Sequence, residues 1–103
     1  MVANLKEDVL YRAVGINAFP IKVNINLKDY ETLLLTSDRG SGIISREANS
    51  GKFYYTRILM MAGTEITSGY IVTFSAEDTG FTIDKYIGEV SPTYFLIKGI
   101  KKI

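Results

Sequence analysis

The clearest hydrophobic and polar pattern in the chain is a strict alternation over residues 21–27. Four apolar residues alternate with three polar ones: Ile21, Val23, Ile25 and Leu27 against Lys22, Asn24 and Asn26. Because successive side chains of an extended chain point to opposite sides, this period of two predicts a β-strand with one buried and one wet face. Pro20, just before it, restricts the preceding residue to extended conformations.

Further short apolar stretches, separated by turn signals, follow along the chain. They predict strands at residues 8–15, 43–46, 52–61, 69–76, 81–87 and 93–100. Residues 30–36 allow either a short helix capped by Asp29 or a buried strand. The short flanks and the turn signal at residues 37–40 favour the strand. Seven or eight short strands without a convincing helix predict an all-β fold, either a small five- to eight-stranded barrel of OB-like type or a sandwich.

Length and composition indicate one globular domain over residues 1–103. Hydrophobic residues make up 47% of the chain, enough for a folded core. No apolar run approaches the roughly 20 residues of a membrane-spanning helix. The first 15 residues lack the apolar region of a signal peptide. We therefore expect a cytoplasmic protein without membrane contact, located in the host cytoplasm if it is viral.

The residue types that are missing restrict the chemistry. The chain contains no cysteine and no histidine, so it has no thiolate site and lacks the commonest general base and metal ligand. The close acid pairs Asp29/Glu31 and Glu77/Asp78 are interpreted as surface carboxylates. We expect a non-catalytic protein without metal or cofactor.

Charge is distributed unevenly although the net charge is only +1. Residues 39–57 carry four cations and one acid, residues 58–84 carry four acids and no cation, and residues 98–102 are again basic. If the two basic stretches share a face, the molecule has a positive and a negative side. Otherwise these charges only keep the surface soluble.

The basic stretch also carries neighbouring tyrosines. In one regular strand over residues 52–61, Tyr54 shares a face with Lys52, while Tyr55 shares the other face with Phe53 and Leu59. Since Phe53 and Leu59 favour the core, Tyr55 is predicted to be buried and Tyr54 exposed. Arg57 joins the exposed side only if a bulge near Thr56 shifts the register.

Cations interleaved with aromatic rings can bind single-stranded nucleic acid, since the cations meet phosphates and the rings stack on bases. This hypothesis assigns five residues to the interface: Arg39, Arg46, Lys52, Tyr54 and Arg57. The alternative for Tyr54 is an ordinary, half-buried surface tyrosine.

Two short stretches add a resemblance. The runs SGIISR, which begins at Ser41, and SGKFY, which begins at Ser50, resemble a hairpin of the filamentous-phage single-stranded-DNA-binding, helix-destabilising proteins. That family consists of small OB-fold barrels that act as dimers. The resemblance implies phosphate contacts for Arg46 and Lys52, base stacking for Tyr54 and a flexible loop cation at Arg39. It also implies a homodimer, for which the apolar stretch 66–74 offers an extended hairpin.

Two other classes of function stay open. A viral structural or inhibitory β module would bind another protein through exposed strands and apolar residues such as Ile100 and Ile103. A small enzyme or a small-ligand binder would use the loop at residues 36–42, where backbone amides can hold a phosphate and Asp38 with Arg39 can orient a ligand.

Overall fold

The computed structural model describes residues 7–15, 18–62, 65–87 and 93–102. Within these ranges the chain forms strands and no helix: β1 (Glu7–Val14), β2 (Ile21–Asn24), β3 (Tyr30–Ser37), β4 (Ser41–Ser45), β5 (Thr56–Ala62), β6 (Glu65–Glu77), β7 (Gly80–Ile87) and β8 (Tyr94–Lys101). The all-β prediction is confirmed. None of the described segments is a helix that could cross a membrane.

The strands form two antiparallel sheets of four. Sheet A has the order β1-β8-β3-β4, and sheet B has the order β2-β7-β6-β5. Within the sheets, β3 pairs with β4, β5 with β6 and β6 with β7 as antiparallel neighbours, whereas the β4–β5 connection passes from sheet A to sheet B. Such two-sheet packing is one of the architectures that the pattern of short strands predicted.

Both sheets contribute their inner faces to one core. The buried apolar side chains come from both sheets and, for Leu27, from the β2–β3 connection: Leu27, Leu33, Leu35, Ile44, Ile58, Val72, Phe74, Phe81, Ile83, Phe95 and Ile97. Tyr11 of sheet A meets Phe81 of sheet B edge to face, with ring centroids 5.6 Å apart. Edge-to-face contact adds to the burial of two large rings and fixes the sheets relative to each other.

The alternating stretch 21–27 behaves as predicted. Its apolar side chains pack on the core and its polar ones are exposed. The strand β2 ends at Asn24, but the amides of Ile25 and Leu27 continue to donate, to Thr79 O at 3.0 Å and Asp78 O at 2.8 Å. These two bonds hold the chain beside the β6–β7 turn as far as Leu27, whose side chain is fully buried.

Residues 30–36 form the strand that the sequence favoured, and the helix alternative is wrong. In β3 the side chains of Leu33 and Leu35 point into the core, and the strand pairs with β8 on one side and β4 on the other. A helix there would leave both neighbouring strands without their backbone partner.

Candidate nucleic-acid interface

A narrow hairpin carries the chain from sheet A to sheet B. Beyond β4, Arg46 and Phe53 form an isolated antiparallel bridge, and the amide of Tyr54 donates to Ser45 O at 3.0 Å. The chain then leaves sheet A and enters β5 at Thr56. We call residues 52–57 the crossover segment.

The turn of this hairpin fixes the position of Lys52. The amide of Glu47 donates to Lys52 O at 2.7 Å, and the amide of Gly51 donates to Glu47 O at 2.8 Å. Gly51 has a φ of 70°, a conformation that favours glycine. The Ser50 amide donates to the Glu47 carboxylate and, with a further backbone bond from Asn49, lowers the pKa of Glu47. The turn predicted around Gly51 is confirmed, and it leaves the Lys52 side chain exposed.

Both tyrosines of the crossover segment lie on the surface. Tyr54 is 57% exposed and Tyr55 is 68% exposed. The predicted exposure of Tyr54 is confirmed, whereas the predicted burial of Tyr55 is wrong. Leu59, also assigned to the core, is exposed, and its neighbour Ile58 is buried instead.

The error has a simple structural cause. A regular strand over residues 52–61 would keep one face toward the core throughout, but the observed strand begins only at Thr56. Phe53 packs against the core beside sheet A and Ile58 enters it from sheet B. The chain changes its inward face between these two residues, so neither tyrosine is needed to fill the interior.

The crossover segment therefore concentrates exposed aromatic and basic side chains. Lys52, Tyr54, Tyr55 and Arg57 are all exposed within six consecutive residues. The other aromatic side chains that the structure describes belong to the core or pack against it, except for Tyr94, which is exposed on β8.

Arg46 lies inside the molecule and not among these exposed cations. Its side chain is only 7% exposed. It donates at 2.7 Å to three backbone carbonyls, those of Leu27, Tyr30 and Gly51. It also pairs with Asp78 at 2.8 Å, and its guanidinium carbon lies 4.1 Å from the centre of the Phe53 ring. The guanidinium that the sequence assigned to a phosphate therefore binds protein atoms instead. Leu27, Tyr30 and Asp78 are distant from Arg46 in sequence, so no local pattern reveals them.

Arg39 lies at the other end of β4. Five residues of strand, about 17 Å, separate it from the hairpin. Its side chain is partly buried, and its Nε is 3.8 Å from Asp38 Oδ2. The structure therefore does not bring Arg39 together with the crossover segment, and the flexible loop cation implied by the resemblance is a turn residue paired with its neighbour.

Polar groups of the loop at residues 36–42 bond to other groups of the protein. The amides of Arg39 and Gly40 each donate to Ser37 Oγ at 3.1 Å. The Asp38 carboxylate accepts from the amide of Thr93 at 2.9 Å and from its hydroxyl at 2.8 Å. Burial alone would raise the pKa of Asp38, but the bonds from Thr93, together with backbone bonds from Asp38 and Tyr94, outweigh it and lower that pKa. These amides form a closed turn, not the outward-facing cradle that a phosphate requires.

The basic residues near the C-terminal end of the chain do not extend the positive surface of the crossover segment. Lys98 lies 4.0 Å from Glu7, and Lys101 lies 3.6 Å from Asp8, so β1 supplies partners for these cations of β8. Of the two alternatives that the sequence left open, a positive face shared by both basic stretches receives no support from Lys98 and Lys101.

A groove borders the crossover segment on its acidic side. It has a volume of about 570 Å³ and runs between the hairpin turn, with Ser50 and Lys52, and the β6–β7 turn, with Glu77 and Asp78. Its mixed charge makes it a poor site for a polyanion, which leaves the outer surface with the two tyrosines as the candidate interface. Among the described residues no three acidic side chains are grouped so that they could hold a metal ion.

Comparison with protein-family models, with curated proteins and with solved structures gave no match. The functional argument therefore rests on the geometry of this chain.

Proposed function

We propose that this protein binds single-stranded nucleic acid without catalysing a reaction, through the crossover segment. Tyr54 and Tyr55 stack on bases, and Lys52 and Arg57 contact phosphates. The observation that carries the proposal is the exposure of two consecutive tyrosines, 57% and 68%, between two exposed cations.

The physical chemistry favours a single strand over a duplex. Tyrosine rings stack on the faces of bases, and these faces are accessible only where the bases are not stacked within a duplex. Every base has such a face, so we expect binding that tolerates many sequences. The net charge of +1 gives little general attraction to a polyanion, so affinity must come from the crossover segment itself.

The test is a titration of a fluorescent oligothymidylate at several salt concentrations. Lys52→Ala and Arg57→Ala should each weaken binding and reduce the slope of log affinity against log salt by about 0.7, the value for one lost contact to a single strand. Tyr54→Ala and Tyr55→Ala should each cost roughly 1–3 kcal/mol of binding free energy while the slope stays unchanged.

Two exposed residues outside the segment serve as matched controls. Lys22→Ala removes a cation of β2, and Tyr94→Ala removes a surface ring of β8; neither should change the affinity or the slope. Absence of salt-dependent binding by the wild-type protein to any single-stranded DNA or RNA would overturn the proposal. It would favour the protein-binding module in its place.

A further inference from the structure

The outer faces of the two sheets differ in character. In sheet B the outward side chains of β2, β6 and β7 are polar or charged over most of the described surface: Lys22, Asn24, Thr73, Ser75, Thr82 and Asp84. This is the usual arrangement for a sheet with one face in water. The outer face of sheet A departs from it.

Apolar side chains cover much of the outer face of sheet A. They come from all four strands: Val9, Val14, Leu34, Ile43, Tyr94, Leu96 and Ile100. Val9 is 57% exposed, Ile43 is 58% exposed and Val14 is 77% exposed. Contiguous apolar patches of this kind on a folded protein mark interaction surfaces.

The outward position of Val9 depends on a bulge in β1. The pairing with β8 shifts between Val9 and Tyr11, and Leu10 and Tyr11 both pack against the core. With two successive residues turned inward, Val9 and Arg12 both face outward. The apolar surface is therefore built into the strand geometry.

Several polar groups on this face already have partners within it. Thr32 Oγ1 and Ser45 Oγ lie 3.1 Å apart, and Lys98 lies 4.0 Å from Glu7. Covering these groups costs less than covering unpaired ones, because their hydrogen-bonding and charge requirements are partly met. Arg12, the remaining cation of the face, lies on the edge strand, where water can still reach it.

One row of four outward side chains, one from each strand, crosses the outer face of sheet A. The register places Val9, Lys98, Leu34 and Ile43 side by side on β1, β8, β3 and β4. The two most exposed apolar residues of the row, Val9 and Ile43, stand at its ends. When two copies face each other, a two-fold rotation about an axis parallel to the strands brings the Val9 end of one row opposite the Ile43 end of the other.

We propose that the outer face of sheet A binds a second copy of this chain, with Val9 of each copy against Ile43 of the other. The same rotation places Lys98 of one copy over Leu34 of the other. It also places Arg12 and Glu7 of one copy over the serines of β4 of the other. No charged side chain therefore lies directly opposite one of the same sign. A two-fold axis perpendicular to the strands would place Lys98 on Lys98, which like-charge repulsion disfavours.

The size of the face fits a weak interface. Three strands about 27 Å long and β4, about 17 Å long, spaced about 4.8 Å apart, present roughly 470 Å² per copy. Two copies then bury about 940 Å², which lies in the range of weak, transient interfaces. We expect a dimer that dissociates at micromolar concentrations and not an obligate one.

The test is sedimentation equilibrium of the full chain from 5 to 500 µM with oppositely charged variants. The wild-type protein should approach twice the 11.5 kDa chain mass at the upper end. Val9→Asp and Ile43→Lys alone should each raise the dissociation constant at least tenfold. An equimolar mixture of the two variants should recover the wild-type dissociation constant. In the mixed dimer the introduced carboxylate faces the introduced ammonium at one contact, and the native valine and isoleucine meet at the other.

Leu59→Asp is the matched control, since it places the same charge on an exposed apolar site of sheet B and should leave association unchanged. Circular dichroism of each variant confirms that it is folded. A wild-type protein that stays monomeric at 500 µM overturns the proposal. So does a dimer that withstands Val9→Asp, or single variants whose mixture does not recover association.

Discussion

At the scale of single residues, Arg46 shows how one side chain can join several segments. Its guanidinium bonds the β2–β3 connection through Leu27 O and the start of β3 through Tyr30 O. It also bonds the hairpin turn through Gly51 O and the β6–β7 turn through Asp78. A guanidinium has five N–H donors in a fixed plane, whereas an ammonium has only three, on a flexible stem. One side chain therefore links four segments at this end of the molecule, in addition to the backbone bonds of Ile25 and Leu27 to the β6–β7 turn.

We predict that Arg46→Ala lowers the free energy of unfolding by more than about 1–3 kcal/mol, the cost of leaving a single buried acceptor unsatisfied. Arg46→Lys should lose most of the same stability, because the lysine cannot reproduce the several contacts. Urea denaturation followed by tyrosine fluorescence measures both. If Arg46→Ala has wild-type stability but binds oligonucleotide more weakly, this prediction is wrong and Arg46 contacts phosphate, as the sequence suggested.

Tyr30 gives the molecule a dependence on alkaline pH. Its hydroxyl donates to Asp8 Oδ2 at 2.7 Å; this bond, together with burial, raises the pKa of Tyr30 to about 12 from 10.0. Because the folded state holds the proton more tightly, this contribution to stability is fully present below pH 10. It is lost as the pH rises from 10 to 12.

Tyr30→Phe should remove that dependence. We expect the free energy of unfolding of the wild-type protein to fall more between pH 9 and pH 11 than that of the variant. Urea titrations at the two pH values measure the difference. Identical losses in both proteins would show that the bond to Asp8 does not stabilise the folded state.

At the scale of elements, the strands and turns could be predicted from the sequence, but the inward face of β5 could not. Period two and turn residues depend on neighbours in the chain, so β2 and the turn at residues 37–40 follow from local pattern. Residues 58–61 are apolar at every position, so no alternation tells which of them is buried. The partners of Arg46 could not be predicted either. The sequence around a single arginine does not indicate which four acceptors the folded chain will bring to it.

The observed register of β5 makes a sharp prediction about stability. Ile58→Ala should cost about 2–5 kcal/mol, as for other large-to-small changes in a core. Leu59→Ala and Tyr55→Ala should stay within about 0.5 kcal/mol of the wild-type protein, as surface substitutions do. Thermal and urea unfolding measure all three. A large loss of stability for Tyr55→Ala with a small one for Ile58→Ala would contradict the observed register. It would support a regular strand over residues 52–61 with Tyr55 in the core.

At the scale of the whole molecule, the two proposed surfaces are separate. The crossover segment joins the sheets at the edge formed by β4 and β5, whereas the apolar face covers the outside of sheet A. The sequence indicated an all-β domain because composition and strand spacing are global properties. It could not indicate which strands are neighbours, since β1 and β3 both pair with β8 across most of the length of the chain.

The position of β8 has a consequence for folding. It lies between β1 and β3, yet it is the last described strand to be synthesised. Until it emerges from the ribosome, β1 and the β3–β4 hairpin have no common neighbour, and their backbone edges stay open to wrong partners. Pairings between such distant segments also make folding slow, on the scale of milliseconds to seconds for β domains of this kind. Sheet B contains only strands that precede β8, so it can assemble first and offer its inner face as the template on which sheet A is completed.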